Sequence, residues 1–197
     1  ESWFMAVTEA ELEGLPESAK TTAAQAALDR NLDASHAITL DAPTYVAVMT
    51  YAKDASLREQ LYRAFAMRCN RGDGNDNNAL MAEIANLRMQ RAQLLGYNSH
   101  ADYVLEDRMA KNPATVNGFL GNLLDVAMPE ARKEWSDLQT FAARSLELPE
   151  MQRWDLAFVS EQYKQDQLEL DSEALKVYFP LNQVLEGAFK VANQLHG

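Results

Sequence analysis

From Asn112-Pro113 onward, apolar side chains return at one spacing for many turns. Val116, Leu120, Leu123, Ala127, Ala131, Trp135, Leu138 and Ala142 fall on a single stripe when the chain is wound at helical pitch. A strand would need strict alternation, which this stretch lacks. Asparagine followed by proline is a strong helix start, because the amide side chain caps the free N–H groups and proline tolerates the first turn. The spacing therefore predicts one long helix reaching about Glu147, with Pro129 inside it as a kink. Further helices are expected beside it.

The remaining sequence supplies them. Gly and Pro are sparse, at 8 and 6 copies, and hydrophobic residues are 47% of the 197. Runs of Val, Ile and Thr are few, and the fold class expected is all-α. The one strand predicted is the short "HAITL" at 36–40. Thr8 and Glu11 form a capping box, and Pro16 suits the first turn of a helix ending near Asp29. Pro43 opens a second helix, and Asp54 or Ser56 caps a third with Leu57, Leu61, Ala64 and Arg68 on one face. A helix from about Asn77 to Leu95 gathers Leu80, Ile84, Leu87 and Leu94, with Gly96 as its stop. Arg91 lies within that stripe: a buried, paired arginine is the simpler reading, a ligand-binding arginine the alternative. Ser99 and Asp102 make another capping box. After Pro149 the pattern predicts helices over about 155–168 and 182–195, with a short one between them capped by Asp171.

Charge and composition exclude several classes. The net charge is −11, which disfavours nucleic acid as a partner. No run of 18 apolar residues exists, so no membrane span is expected. The N-terminal "ESWFMAVTEAELEG" lacks the pattern of a signal peptide, and it opens without Met, which suggests a piece of something longer.

The stretch "RGDGNDNN" (71–78) resembles both an adhesion tripeptide and the start of a calcium loop. Counted from Asp73, an EF-hand needs Gly at the sixth position and Glu at the twelfth, where Asn78 and Ile84 stand. The reading adopted is a helix connection, with Gly72 and Gly74 ending one helix and Asp76 capping the next. His36, His100 and His196 are too scattered to share a helical turn, so no metal ligand set is assigned. Cys69, the sole cysteine, is expected to be a buried thiol near a helix end; the alternative pairs it with His100 as a nucleophile. Glu106 and Asp107 are expected on solvated faces. Asp155 is expected to cap the following helix with Trp154 packed beneath, the alternative placing both beside a substrate groove. The residues supply no catalytic set.

Several phrases in order say more. "ITLDAPTYVAVMTYAKDASLREQLYRAFAMRC" is followed by "DNNALMAEIANLRMQRAQLLGYNSHADYVLEDRMAKNPATVNGFL", "RWDLAFVSEQY" and "LDSEALKVYFPLNQVLEGAFKVANQLHG". From about Leu12 to Gly197 the chain resembles the thimet-oligopeptidase family of zinc metallopeptidases, its bacterial dipeptidyl carboxypeptidase branch first and the oligopeptidase A branch next. The helix ending "LLGY", the "MAK.P" helix start and the "YFPL" turn carry the likeness. Where the family has proline before the Trp-Asp pair this chain has Arg153, and where it has two tyrosines this chain has Phe158 and Val159.

The resemblance implies a mostly helical two-lobed enzyme whose zinc sits on a His-Glu-x-x-His helix with a further Glu as third ligand. That region would lie C-terminal to the matched segment, so no catalytic or metal residue is carried over onto 1–197. Zinc is expected in the full-length parent and no cofactor in this segment. Expected partners are short peptides and the remainder of the parent chain, in the cytoplasm or else the periplasm. The segment would form channel wall and scaffold, and by itself would be inactive. The alternative is a helical peptide-binding or interaction module without peptidase chemistry.

Overall fold

The computed structural model describes residues 3–169 and 172–197. They fall into two compact units, 1–59 with 152–197, and 60–151.

In the first unit, β1 (Phe4–Val7) pairs antiparallel with β2 (His36–Thr39), Met5 opposite Ile38. The sequence pattern predicts only the second of these strands. The first forms beside it, where Val7, Ala37 and Ile38 are all buried, Ile38 fully so, which is worth about 2 kcal/mol for a side chain of that size. The capping box forms: Glu11 N–H donates to the Thr8 hydroxyl and Thr8 N–H to the Glu11 carboxylate at 2.7 Å. It opens a short 3-10 turn over Ala10–Leu12 that seats Leu12 in the core. α1 (Glu17–Asp29) follows Pro16 and lies on β2 through Ala23 and Ala27. Before it, Gly14 adopts φ +93°, and a Cβ there would sit 2.3 Å from the Tyr51 carbonyl, so only glycine fits.

α2 (Ala42–Tyr51) is capped by Asp41, whose carboxylate accepts from Thr44 N–H at 3.0 Å and from the Thr39 hydroxyl. Burial alone would push that carboxyl up. The bonds from Thr39 and Thr44 outweigh it and hold the group below its ordinary value. α3 (Ala55–Ala66) starts at Asp54, which accepts from Ser56 and Leu57 N–H, and it buries Leu57 and Leu61. α7 (Leu156–Leu168) packs on α2.

The second unit holds α4 (Asn78–Leu94), α5 (His100–Leu105) and α6 (Pro113–Ser145). α6 begins with Asn112 accepting from Thr115 N–H at 2.9 Å and runs through Pro129 as one element. α4 ends as the sequence predicts: Gly96 takes φ +89°, with Tyr97 N–H donating to Ala92 and Gly96 N–H to Gln93. The apolar stripe of α6 is buried only near its end, at Ala142 beside the buried Phe141, while Leu120 and Leu123 stay exposed. The α4 stripe is likewise exposed at Leu80, Ile84, Leu87 and Leu94.

Back in the first unit, α8 (Ser172–Leu175) leads by a 3-10 turn to α9 (Leu181–His196). The expected cap of α8, Asp171, lies outside the described residues.

Candidate functional site

Three constellations of side chains stand out, and each is built by residues of a single unit. The first joins α3 to α7. Arg58 and Asp155 are buried, each side chain 2% exposed, with the guanidinium 2.6 Å from the carboxylate. The other arm of Arg58 donates to the carbonyls of Ala52 at 2.6 Å and Lys53 at 3.0 Å, where α2 gives way to α3. Its guanidinium lies 4.4 Å from the centre of the Phe158 ring. The second carboxylate oxygen of Asp155 accepts from Gln152 N–H at 2.9 Å. Asp155 therefore does not cap α7 with its side chain, as the sequence suggested; it turns back to Gln152 and across to Arg58. The competing bond won because a fixed, desolvated guanidinium is a stronger partner than a helix N–H. Phe158 and Val159 are part of this packing, and Val159 is fully buried.

The second surrounds α5. The Ser99 hydroxyl accepts from Asp102 N–H at 3.1 Å and donates to its carboxylate at 2.7 Å, which fixes the start of the helix. Tyr97, aimed by the turn after α4, meets the Tyr103 ring edge-on at 5.2 Å between centres. Its hydroxyl donates to the Glu106 carboxylate. That bond holds the Tyr97 phenol above its ordinary pKa, so it serves as a donor and not as a base. Arg91 stacks over Tyr103 at 5.1 Å. It is exposed rather than buried in an ion pair, because the α4 stripe that contains it is itself uncovered. The His100 ring lies 6.4 Å from Tyr103, and its Nδ1 is buried without a hydrogen-bond partner. A cavity of about 310 Å³ is lined by Tyr103, Val104, Glu106, Asp107 and Arg108. The arrangement can stack and hydrogen-bond a polar chain; it offers no nucleophile beside a base.

The third is a groove of about 560 Å³ between α1, α2 and α8. Leu15, Ile38 and Val48 form an apolar floor, and the Glu173–Lys176 ion pair, 2.7 Å apart, lies at its edge.

The remaining sequence candidates are placed differently. In the 71–78 loop, Asp76 accepts from Gly72 N–H at 2.8 Å and from Asn78 N–H at 2.9 Å, and Asp73 accepts from Asn75 N–H. The bond from Asn78, then that from Gly72, lowers the Asp76 pKa. Asp76 thus secures the start of α4 as expected. The glycines do not end α3, which stops at Ala66; Cys69, at φ +56°, makes the left-handed turn instead. In that position the thiol is exposed, not buried. His36 lies in β2, His100 at the start of α5 and His196 at the end of α9. Among the described residues no group of three or more His, Cys, Asp or Glu side chains could hold a metal ion. No helix among them is long and apolar enough to cross a membrane.

The family model described as peptidase family M3 matches residues 48–197, and the chain belongs to that family. Among curated relatives, oligopeptidase A of Salmonella typhimurium and of Escherichia coli are each 40% identical over 99% of this chain, which covers 29% of either relative. Dipeptidyl carboxypeptidase of Escherichia coli is 34% identical over 95% of the chain and 28% of its own length. The family is the one to which the motifs pointed. Within it identity is higher with oligopeptidase A than with dipeptidyl carboxypeptidase, the reverse of the order the motifs suggested. The chain spans under a third of these relatives.

Proposed function

We propose that residues 1–197 are the helical segment preceding the metal-binding region of a longer zinc metallopeptidase, an oligopeptidase or peptidyl-dipeptidase that hydrolyses short peptides. The segment acts as scaffold and channel wall. The observation that carries the proposal is the family match over 48–197, joined to relatives named as peptidases along nearly the whole chain.

The residues present do not fit a zinc site. A catalytic zinc takes three protein ligands and leaves one position open. The three histidines occupy separate elements, and among the described residues no carboxylate or thiol cluster completes any of them. Zinc belongs instead to a part of the polypeptide outside this segment, and no chemical step is assigned to residues here. What this chain contributes is position: the Arg58–Asp155 pair fixes the α2–α3 corner against α7, and the surface around Tyr97 and Tyr103 offers stacking and hydrogen bonds to an extended peptide.

The test is peptide hydrolysis by the full-length product before and after a chelator, with its reading frame determined. Chelator-sensitive turnover and a His-Glu-x-x-His motif are expected. A frame without that motif, or turnover indifferent to the chelator, overturns the proposal and leaves a helical peptide-binding module.

A further inference from the structure

Asp73-Gly74 and Asn117-Gly118 are the places where glycine directly follows aspartate or asparagine in this chain. Glycine carries no Cβ, so the peptide nitrogen before it is open to approach. Such a nitrogen can attack the side-chain carbonyl carbon of the preceding residue. All four residues are exposed, so exposure does not tell the pairs apart; the backbone does. Asp73-Gly74 lies in the connection between α3 and α4. Among the described residues nothing accepts a hydrogen bond from Gly74 N–H. The Asp73 carboxylate accepts from Asn75 N–H at 2.9 Å, a bond that spans Gly74 and keeps the carboxyl group next to the Gly74 peptide. A Cβ built on Gly74 would meet nothing within 4 Å, so the space around it is open. Asn117-Gly118 lies inside α6, beyond its first turn. There the Gly118 N–H belongs to the helix ladder, and the helical backbone turns that nitrogen away from the Asn117 side chain.

We propose that Asp73 is a site of spontaneous isomerisation to isoaspartate in the folded protein, and that α6 shields Asn117 from the corresponding deamidation. The Gly74 nitrogen gives up its proton and bonds to Cγ of Asp73, and a carboxyl oxygen leaves as water. The product is a cyclic succinimide. Water then adds to one of the ring carbonyls. Breaking the new N–Cγ bond restores aspartate. Breaking the original peptide bond instead leaves isoaspartate, with the main chain running through Cγ and the former main-chain carbonyl free as a carboxylate. Nothing is oxidised or reduced, and water is the only co-reactant. The Asp73 carbonyl that becomes the carboxylate is the acceptor of Asp76 N–H at 3.0 Å. The chain is thus lengthened immediately before Asp76, whose side chain secures the start of α4. The step is independent of any peptidase chemistry.

The internal comparison makes the test sharp. Asn117 is chemically the more reactive of the two, because ammonia leaves a side-chain amide more readily than water leaves a carboxyl group. Only the fold favours Asp73. The full-length protein is held for weeks at neutral pH, native in one arm and unfolded in urea in the other. Isoaspartate is then read at each site by peptide mapping with isoaspartate-specific enzymatic methylation. The native arm should accumulate it at 73 and not at 117, and the unfolded arm should reverse that order. No isoaspartate at 73 in the native arm overturns the proposal. So does a native arm in which 117 leads, since the reaction then proceeds through the unfolded chain. Two variants check the chemistry in the native protein. Asp73→Asn replaces water by the better leaving group, and isoaspartate at 73 should form several-fold faster; a rate no higher than wild type overturns the proposal. Gly74→Ala should remove most of the signal at 73, and an undiminished rate overturns it. Gly74 has no left-handed φ and has room for a Cβ, so the fold should accept that change. Should either variant fail to fold, the ratio of the sites in the wild-type protein decides.

Discussion

Replacing Asp155 with Asn should be one of the most damaging isosteric changes available in this chain. Two charges 2.6 Å apart attract by about 6 kcal/mol at an effective dielectric near 20. Most of that attraction offsets the cost of taking both groups out of water, so the net worth of the pair is small. Removing one partner is different. It leaves the Arg58 guanidinium charged, with its side chain 2% exposed, and a buried unpaired charge costs about 3–5 kcal/mol. Against a typical total stability of about 5–15 kcal/mol, the variant should unfold at a visibly lower urea concentration. Asp155→Ala should lose about 1 kcal/mol more, because Gln152 N–H then loses its acceptor as well. The double variant Arg58→Met with Asp155→Leu removes both charges and should be less damaging than Asp155→Asn alone. Urea unfolding followed by tryptophan fluorescence reads all four proteins, and Trp154 is adjacent to the change. If Asp155→Asn lies within about 0.5 kcal/mol of wild type, the scale of an ordinary surface change, the staple is not a buried ion pair and the reasoning fails.

Gly14→Ala should cost about 2–4 kcal/mol, combining a left-handed φ with overpacking against the Tyr51 carbonyl; a melting temperature equal to wild type would refute it. Tyr97→Phe should remove the phenol that ionises above its ordinary range, seen as loss of a late component when tyrosinate absorbance is followed against pH. Because the folded-state pKa is raised, the Tyr97–Glu106 bond contributes fully below the ordinary tyrosine range and is lost as pH rises through the raised value. Asn112→Ala should destabilise by about 1 kcal/mol, measured by urea unfolding, since it frees the Thr115 N–H at the start of α6.

Much of the fold was legible because helix ends are decided by a few neighbouring residues. Asp54, Ser99, Asn112 and Gly96 each act within four residues of themselves, and the structure places their bonds where the residue types require. What was not legible depends on partners distant in sequence. Asp155 reads as a helix cap; its decisive partner, Arg58, is 97 positions away. β1 is four residues without alternation, and it is a strand because β2 lies beside it. Cys69 reads as an interior residue by the usual habit of its type, but the left-handed turn at that residue holds the thiol at the surface.

The same distinction separates the stripes from their burial. α1 looks unremarkable as an amphipathic helix and still buries Ala23 and Ala27, because a strand lies against it. α9 has the clearest apolar face, and it and much of the α6 stripe stay uncovered. Apolar spacing records which face a helix would lose least by removing from water; it carries no information on what removes it. Leu120 and Leu123 on α6 are each about half exposed, in a helix whose final turns bury Phe141 and Ala142. One continuous stripe is thus satisfied at one end only. A stripe selected for solvent would have no reason to keep its register from the exposed end into the buried one. That continuity is why the bare faces are better understood as surfaces suited to packing than as surfaces adapted to water.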